Sequence, residues 1–339
     1  MTVDGPVTSD QLGHTLMHEH LQNDCSCWWH EPEPDRAWLA DAPITPSILS
    51  ELRQDPFVNR HNIALNEMDT AIDEVRAFAS LGGRSIVDPT CRGIGRSPTK
   101  LRRIAAETGV QIVMGSGYYL ASSMPSEISG MSVDDIADQI VDEALNGVDG
   151  TDARIGLIGE IGVSAEFTTE EERSLRGAAQ AQRRTGLPLM VHLPGWFRLG
   201  HRVLDIVESE GADLRHTVLC HMNPSHMDAV YQATLAQRGA FIEFDMIGMD
   251  FFYADQGVQC PSDDQVAVAI LGMISAGYGD RILLSHDVFI KMMLTRYGGN
   301  GYGFVTKHFL PRLIRHGMDP AFCETLMVTN PRRVFDATI

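Results

Sequence analysis

The chain has 339 residues, 44% of them hydrophobic, which is enough to bury a large core as one large domain or two ordinary ones. Acidic residues outnumber basic ones 45 to 27, a formal charge of -18 that argues against nucleic acid and anionic membrane as partners. No basic stretch followed by an apolar run opens the chain, and no segment reaches the roughly eighteen apolar residues of a spanning helix, so a cytoplasmic protein is expected.

In chain order, apolar or β-branched runs predict strands at "TLMHEH" (Thr15 to His20), "SIVDPT" (Ser85 to Thr90), "VQIVMGSG" (Val110 to Gly117) and "RIGLIGEIG" (Arg154 to Gly162). Four more follow at "LPLMVHL" (Leu187 to Leu193), "HTVLCHM" (His216 to Met222), "AFIEFDM" (Ala240 to Met246) and "RILLSHD" (Arg281 to Asp287). Near-continuous apolar runs of this length read as parallel strands buried on both faces. Helical patterns lie between them, many opening on Ser, Thr or Asn and closing at Gly, as capping chemistry requires. This alternation predicts an α/β fold, a (β/α)8 TIM barrel with residues 1-339 as one domain. A doubly wound open sheet is the competitor, but no G-x-G-x-x-G follows the first strand. Two long irregular stretches, residues 22-66 and 247-263, are expected to be walls or lids of a pocket rather than ordinary connections. Cys25 and Cys27 could be half of a metal site, but no second close cysteine pair exists, so all six cysteines read as buried or idle thiols of a reducing compartment.

A barrel of this kind places its pocket at the C-terminal ends of the strands. There the sequence puts His18 and His20 on the first strand, Glu160 on the fourth, His192 on the fifth, His221 on the sixth and Asp287 on the eighth. Residues i and i+2 of a strand share a face, so His18 and His20 can grip one cation while Glu19 turns toward the helical layer. Glu160 is suited to bridge two metals, one held by His18, His20 and Asp287, the other by His192 and His221. Nitrogen and oxygen donors without thiolate suit two divalent cations, zinc foremost, with Mn, Fe or Co as alternatives. A single histidine near a strand end is more often a hydrogen-bonded core residue, and that reading stands for any one of them alone. Six such groups at one rim, buried without metal, would cost several kcal/mol in desolvation. By the same alternation His286 points away from the interior and is structural.

These residues, with "LGHTLMHEHL", "VDPTCRGIGR", "GSGYY", "GEIGVS", "VHLPG", "CHMN", "LLSHD" and the closing "TNPRRVF", resemble the phosphotriesterase-like branch of the amidohydrolase superfamily over nearly the whole chain. The resemblance implies a homodimeric hydrolase with a binuclear metal site, whose bridging hydroxide attacks a carbonyl or phosphoryl centre of a small-molecule substrate. It implies general acid and base duty for Asp287. Many members bridge their metals with a carboxylated lysine, whereas Glu160 resembles the phosphotriesterase-related subgroup, in which amide hydrolysis of N-acetylated amino compounds occurs. Organophosphate-hydrolysing members carry a proton exit route of a histidine after strand seven and an aspartate after strand six; Met246 and Pro224 stand at about those positions here.

The sequence therefore predicts a binuclear metal-dependent hydrolase acting on a lactone, carboxylic ester or N-acyl amide. An organophosphate (phosphotriester) hydrolase with the same metals is the alternative, and a metal-holding binding protein without catalysis is the third reading. Tyr118, Tyr119, Lys291 and Arg296 are candidate substrate-binding residues, although most Lys and Arg are solvated. Trp28, Trp29, Phe251, Phe252 and Tyr253 are candidates to line the pocket, against ordinary loop packing.

Overall fold

A computed structural model describes residues 1–336, so the last three residues of the expected 1-339 domain lie outside the described residues. Its parallel strands are β1 (Thr15–Leu16), β2 (Ser85–Asp88), β3 (Gln111–Met114), β4 (Ile158–Gly162), β5 (Leu189–His192), β6 (Thr217–Leu219), β7 (Phe241–Phe244) and β8 (Ile282–Leu284). Strands β1, β2 and β3 pair in one parallel ladder, and β4 to β8 pair in chain order in a second.

Backbone hydrogen bonds close the two ladders into the (β/α)8 barrel. At one seam the Gly159 N–H donates to Ser116 O (2.6 Å) and the Glu160 N–H to Pro89 O (2.9 Å). At the other, Asp287 N–H donates to His18 O (3.1 Å) and His20 N–H to Val288 O (3.2 Å). The regular β1 ladder stops at Leu16, short of the predicted His20, because beyond it the chain bonds to both neighbours in turn: the Glu19 N–H donates to Val87 O of β2, and the next N–H, that of His20, to Val288 O at the β8 seam. Both seams thus carry residues singled out at strand ends.

Period-two alternation splits the strand side chains into two layers. Ile86, Ile112, Leu189, Leu219, Ile242 and Leu284 belong to the large core shared with the helices. Met17, Val87, Val113, Met190, Val218, Phe241 and Leu283 form a separate cluster inside the barrel, joined by Leu12 and Val334 from the segments flanking its N-terminal face. The interior below the strand ends is therefore filled with apolar side chains, and polar groups on the same faces are stacked above it.

The outer helices are α1 (Met68–Ser80), α2 (Pro98–Thr108), α3 (Val133–Leu145), α4 (Thr169–Thr185), α5 (Gly200–Ser209), α6 (Ala229–Gln237), α7 (Asp263–Ser275) and α8 (Leu310–Arg315). Helices α3, α4 and α7 start with capping boxes: Ser132, Thr168 and Ser262 accept from the N–H three residues on, and Asp135, Glu171 and Gln265 reach back. Among the described residues no helix is long and apolar enough to cross a membrane.

The two long irregular stretches are ordered and packed on each other. Residues 22-66 are tied by an antiparallel ladder of Asn23–Asp24 with Ala64–Leu65 and anchored by buried Leu39, Leu52, Phe57 and Val58. The second stretch folds back as Phe252–Tyr253 against Val258–Gln259. Trp28 stacks on Phe57 with ring centroids 5.5 Å apart, and Phe57 meets both Tyr253 (5.5 Å) and Phe289 (6.2 Å). These contacts build one aromatic wall from three separate loops.

Gly159 enters the β4 bend at φ +131, and a Cβ there would press into the Met190 carbonyl of β5. A side chain would have to distort either the backbone or the neighbouring strand, so Gly159→Ala is expected to lower denaturant stability by about 3 kcal/mol or more. Chemical denaturation followed by circular dichroism checks it, and a loss below about 0.5 kcal/mol would show that the close packing is not needed.

Candidate metal centre and its cavity

The structure brings His18, His20, Glu160, His192, His221 and Asp287 together at the C-terminal mouth of the barrel. Glu160 is the hub. One carboxylate oxygen lies 3.3 Å from His20 Nε2; the other lies 3.2 Å from His192 Nδ1 and 3.5 Å from both His18 Nε2 and His221 Nε2. Asp287 Oδ1 sits 3.3 Å from His20 Nε2 and 3.6 Å from His18 Nε2. His192 Nδ1 and His221 Nε2 face each other at 2.7 Å beside the shared Glu160 oxygen. His221 and Asp287 take left-handed backbone at φ 58 and φ 49, a conformation that turns their side chains into the mouth at some backbone cost.

The donor set fits divalent cations on the geometry alone. Both ring nitrogens of His18 are buried without a hydrogen-bond partner among the described residues. Donor atoms of His18, His20 and Asp287 lie within 4.8 Å of one another, as do those of His18, Glu160 and His221. Buried polar atoms are normally paired, so the His18 Nε2, facing Glu160 and Asp287 without a hydrogen bond to either, marks a place for a cation. Electrostatics agrees. Burial alone would push the imidazoles down, but the carboxylates overcome it: Glu160 and Asp287 raise His18 well above its ordinary range and His20 to about 9, and Asp245 and Glu160 raise His221 to about 10. Burial opposes ionisation of Glu160 too, yet His18, His192 and His20 hold its carboxyl well below the usual range. The cluster pulls positive charge into the mouth, and a divalent cation can replace protons there.

A layer of supporting groups orients these side chains. His20 Nδ1 meets Thr90 Oγ1 at 2.8 Å, and Asp88 accepts from the N–H of Leu21 and of Thr90, both at 3.0 Å. On β7 and just past it, Glu243 and Asp245 share the inward face. Asp245 Oδ2 accepts the His221 backbone N–H (2.9 Å) and lies 3.4 Å from His18 Nδ1, while Oδ1 faces His221 Nδ1 at 3.0 Å. Glu243 lies 3.6 Å from His18 Nδ1, and burial is the main reason that its carboxyl rises to about 7. Glu19 is turned away from the mouth and accepts from Ser285 Oγ, from the His286 N–H and Nδ1, and from the Val288 N–H. It thereby pins both sides of Asp287, and His286 is structural behind it. Carboxylates behind ring nitrogens fix tautomer and aim.

Above the six residues opens a cavity of about 560 Å³. His20, Glu160, His192, His221 and Asp287 form its floor, and apolar groups form most of its walls, including Trp28, Phe57, Trp196, Tyr253 and Phe289. Tyr119 also lines it, edge-on to His192 with centroids 4.8 Å apart.

The other candidates lie elsewhere. Tyr118 points outward, its hydroxyl donating to Gln139 Oε1 (2.6 Å) on α3, because successive residues of an extended segment face opposite ways. Lys291 lies outside the cavity and is spent on Glu67, with Nζ to Oε1 at 2.8 Å. Arg296 is exposed on the loop before "GGNGYG" and meets the protein through its backbone N–H to Glu74. Trp29 stacks under Arg60 instead (4.2 Å), and Phe251 and Phe252 pack away from the cavity that Tyr253 lines. Asp245, Glu243 and Trp196 were not anticipated. The alternation Glu243, Asp245 in "FIEFDM" was the available signal for the first two; Trp196 has none, lying in the turn after β5.

Residues 1–335 match the model of the phosphotriesterase family. N-acetyltaurine hydrolase of Danio rerio is 36% identical over 335 residues, 98% of this chain and 96% of that protein. Among solved structures, a resiniferatoxin-binding protein from Rhodobacter sphaeroides is 80% identical at a TM-score of 0.99, covering 100% of this chain and 95% of that one. A lactonase from Listeria monocytogenes is 26% identical at a TM-score of 0.81, covering 100% and 99%.

The Lys291–Glu67 pair gives a pH-dependent prediction. Burial would raise the Glu67 carboxyl, but hydrogen bonds from Lys291, Tyr297 and Thr70 take it from 4.5 down to about 2. A folded-state value below the unfolded one stabilises above the unfolded value and is lost as pH falls through the folded one. Glu67→Gln is therefore expected to lower Tm at about pH 7, with the gap to the parent protein shrinking below about pH 4.5. Calorimetry across pH tests this, and a gap that stays constant down to about pH 3 contradicts it.

Proposed function

The chain belongs to the phosphotriesterase family and is a hydrolase, and from that premise we propose that it cleaves carboxylic esters, lactones or N-acyl amides at a pair of divalent cations. His18, His20 and Asp287 would hold one cation, His192 and His221 the other, and Glu160 would join them. The observation that carries this reading is the split of the Glu160 carboxylate, one oxygen toward His20 and the other toward His192 and His221, with His18 Nε2 also 3.5 Å from the second. Zinc suits the nitrogen and oxygen donors best, and Mn, Fe and Co share their chemistry.

Bound cations supply Lewis acidity, polarising a carbonyl oxygen and bringing water toward ionisation near neutral pH. Asp287, on the cavity floor, is placed to accept the proton of the attacking water and return it to the leaving alkoxide or amine. Asp245 holds His221, and Glu19 holds the segment bearing Asp287, so that neither must reorganise during the reaction. The aromatic walls exclude bulk water from the floor.

Acyl chemistry ranks above phosphotriester hydrolysis. Met246 lines the cavity and cannot carry a proton, and Pro224 is outside the lining, so the exit route of the organophosphate hydrolases has no counterpart at those positions. The names of the Danio rerio and Listeria relatives support amide and lactone cleavage. The Rhodobacter sphaeroides protein supports a second role, and we propose that this chain also admits resiniferatoxin in the same cavity.

Removal of metal with a chelator is expected to abolish hydrolysis of aryl esters and lactones, and zinc should restore it. Glu160→Gln should lose bound metal and at least about 10³-fold in kcat/KM together. Elemental analysis with steady-state kinetics tests both. Full turnover by metal-free protein rejects the metal reading, and faster turnover of phosphotriesters than of lactones reverses the ranking.

A further inference from the structure

We infer that the substrate is an electroneutral, largely apolar acyl compound, and that the cavity selects against acyl compounds bearing a distal carboxylate or sulfonate. This inference rests on the hydrolase reading of the same site. Among the described residues, no Lys or Arg lines the cavity. Its charged groups away from the floor are Glu166, Glu171 and Asp255, all acidic. Glu171 is already committed, accepting from the N–H groups of Ala121, Ser164 and Thr168.

The nearby cations are committed elsewhere. Arg198 pairs with Asp228 (3.3 Å), Arg96 with Glu143 (2.7 Å), Lys291 with Glu67 (2.8 Å), and Arg60 lies over the outer Trp29. A substrate whose carbonyl reaches the floor would project its far end among Trp28, Phe57, Trp196, Tyr253, Val258 and Phe289. An anion there loses its hydration, finds no positive partner and faces the rim carboxylates, whereas an apolar group gains from burial. Size points the same way, since about 560 Å³ suits a drug-sized ligand better than a two-carbon amino-sulfonate. The cavity therefore differs in charge preference from what an enzyme for N-acetyltaurine requires, although that relative shares the family.

The test uses the metal-loaded protein with two nitrophenyl esters of equal acyl length, one ending in methyl and one in carboxylate, together with N-acetyltaurine. The neutral ester is expected to exceed the carboxylate ester by about 100-fold or more in kcat/KM. Ala165→Lys, and independently Gln256→Arg on the second loop, place a cation at the lining and should raise kcat/KM for the carboxylate ester by about tenfold. Equal or better turnover of the carboxylate ester or N-acetyltaurine by the parent protein overturns the inference while leaving a hydrolase. No gain with either variant also overturns it. Should the loaded protein hydrolyse none of the three, the acyl-cleavage reading fails, and non-cleavable ether analogues decide the charge preference: tighter binding of the neutral ether supports it, equal or tighter binding of the carboxylate overturns it.

Discussion

One buried carboxylate organises the mouth of this barrel. Glu160 is 3% exposed and has three imidazoles within 3.5 Å of one oxygen and a fourth 3.3 Å from the other. An ion buried this deeply persists only where partners replace its hydration. Around Glu160 those partners are side chains from the end of β5 and from the segments just after β1 and β6, so the electrostatics of one group ties together elements far apart in sequence. Asp287 and Asp245 add negative charge beside these rings, so that His18, His20 and His221 are pulled toward the protonated form, while burial and His221 push His192 the other way.

The backbone serves the same end. The seams that close the barrel fall at Gly159–Glu160 and at His18, His20 and Asp287, so forming the closed sheet and presenting the donors are one event. Glu19 extends the coupling: although it faces away from the cavity, its carboxylate fixes the backbone on both sides of Asp287. The sequence "HEH" thus supplies two groups to the mouth and one to the frame behind it. Over this rigid base the loops add a wall of different chemistry, aromatic and, among the described residues, without Lys or Arg, that faces the far end of a ligand. Floor and wall divide the work between reacting any acyl carbonyl and choosing which one enters.

Much of this was legible in the chain because it obeys short periodicities. Apolar runs alternating with capped helical patterns announced the barrel, and the i, i+2 rule placed His18 and His20 on one side with Glu19 on the other. Strand ends then pointed to Glu160, His192, His221 and Asp287, which the structure brings into one cluster. What failed to be legible depends on tertiary choice. Lys291 looked free to meet a substrate, but Glu67, more than two hundred residues away in the chain, neutralises it. Tyr118 and Tyr119 are indistinguishable by type, and only the direction of the segment sends one toward α3 and the other to His192. Loop residues such as Trp196 follow no period, so their place in the wall could not be foreseen.

The claim on which the account turns is that two cations flank the Glu160 carboxylate. Anomalous diffraction from crystals of the zinc-loaded protein, collected at the metal absorption edge, measures this directly. The account predicts two peaks, one against His18, His20 and Asp287 and one against His192 and His221, each within bonding distance of a different Glu160 oxygen. A single peak, or peaks that leave Glu160 uncoordinated, would contradict it.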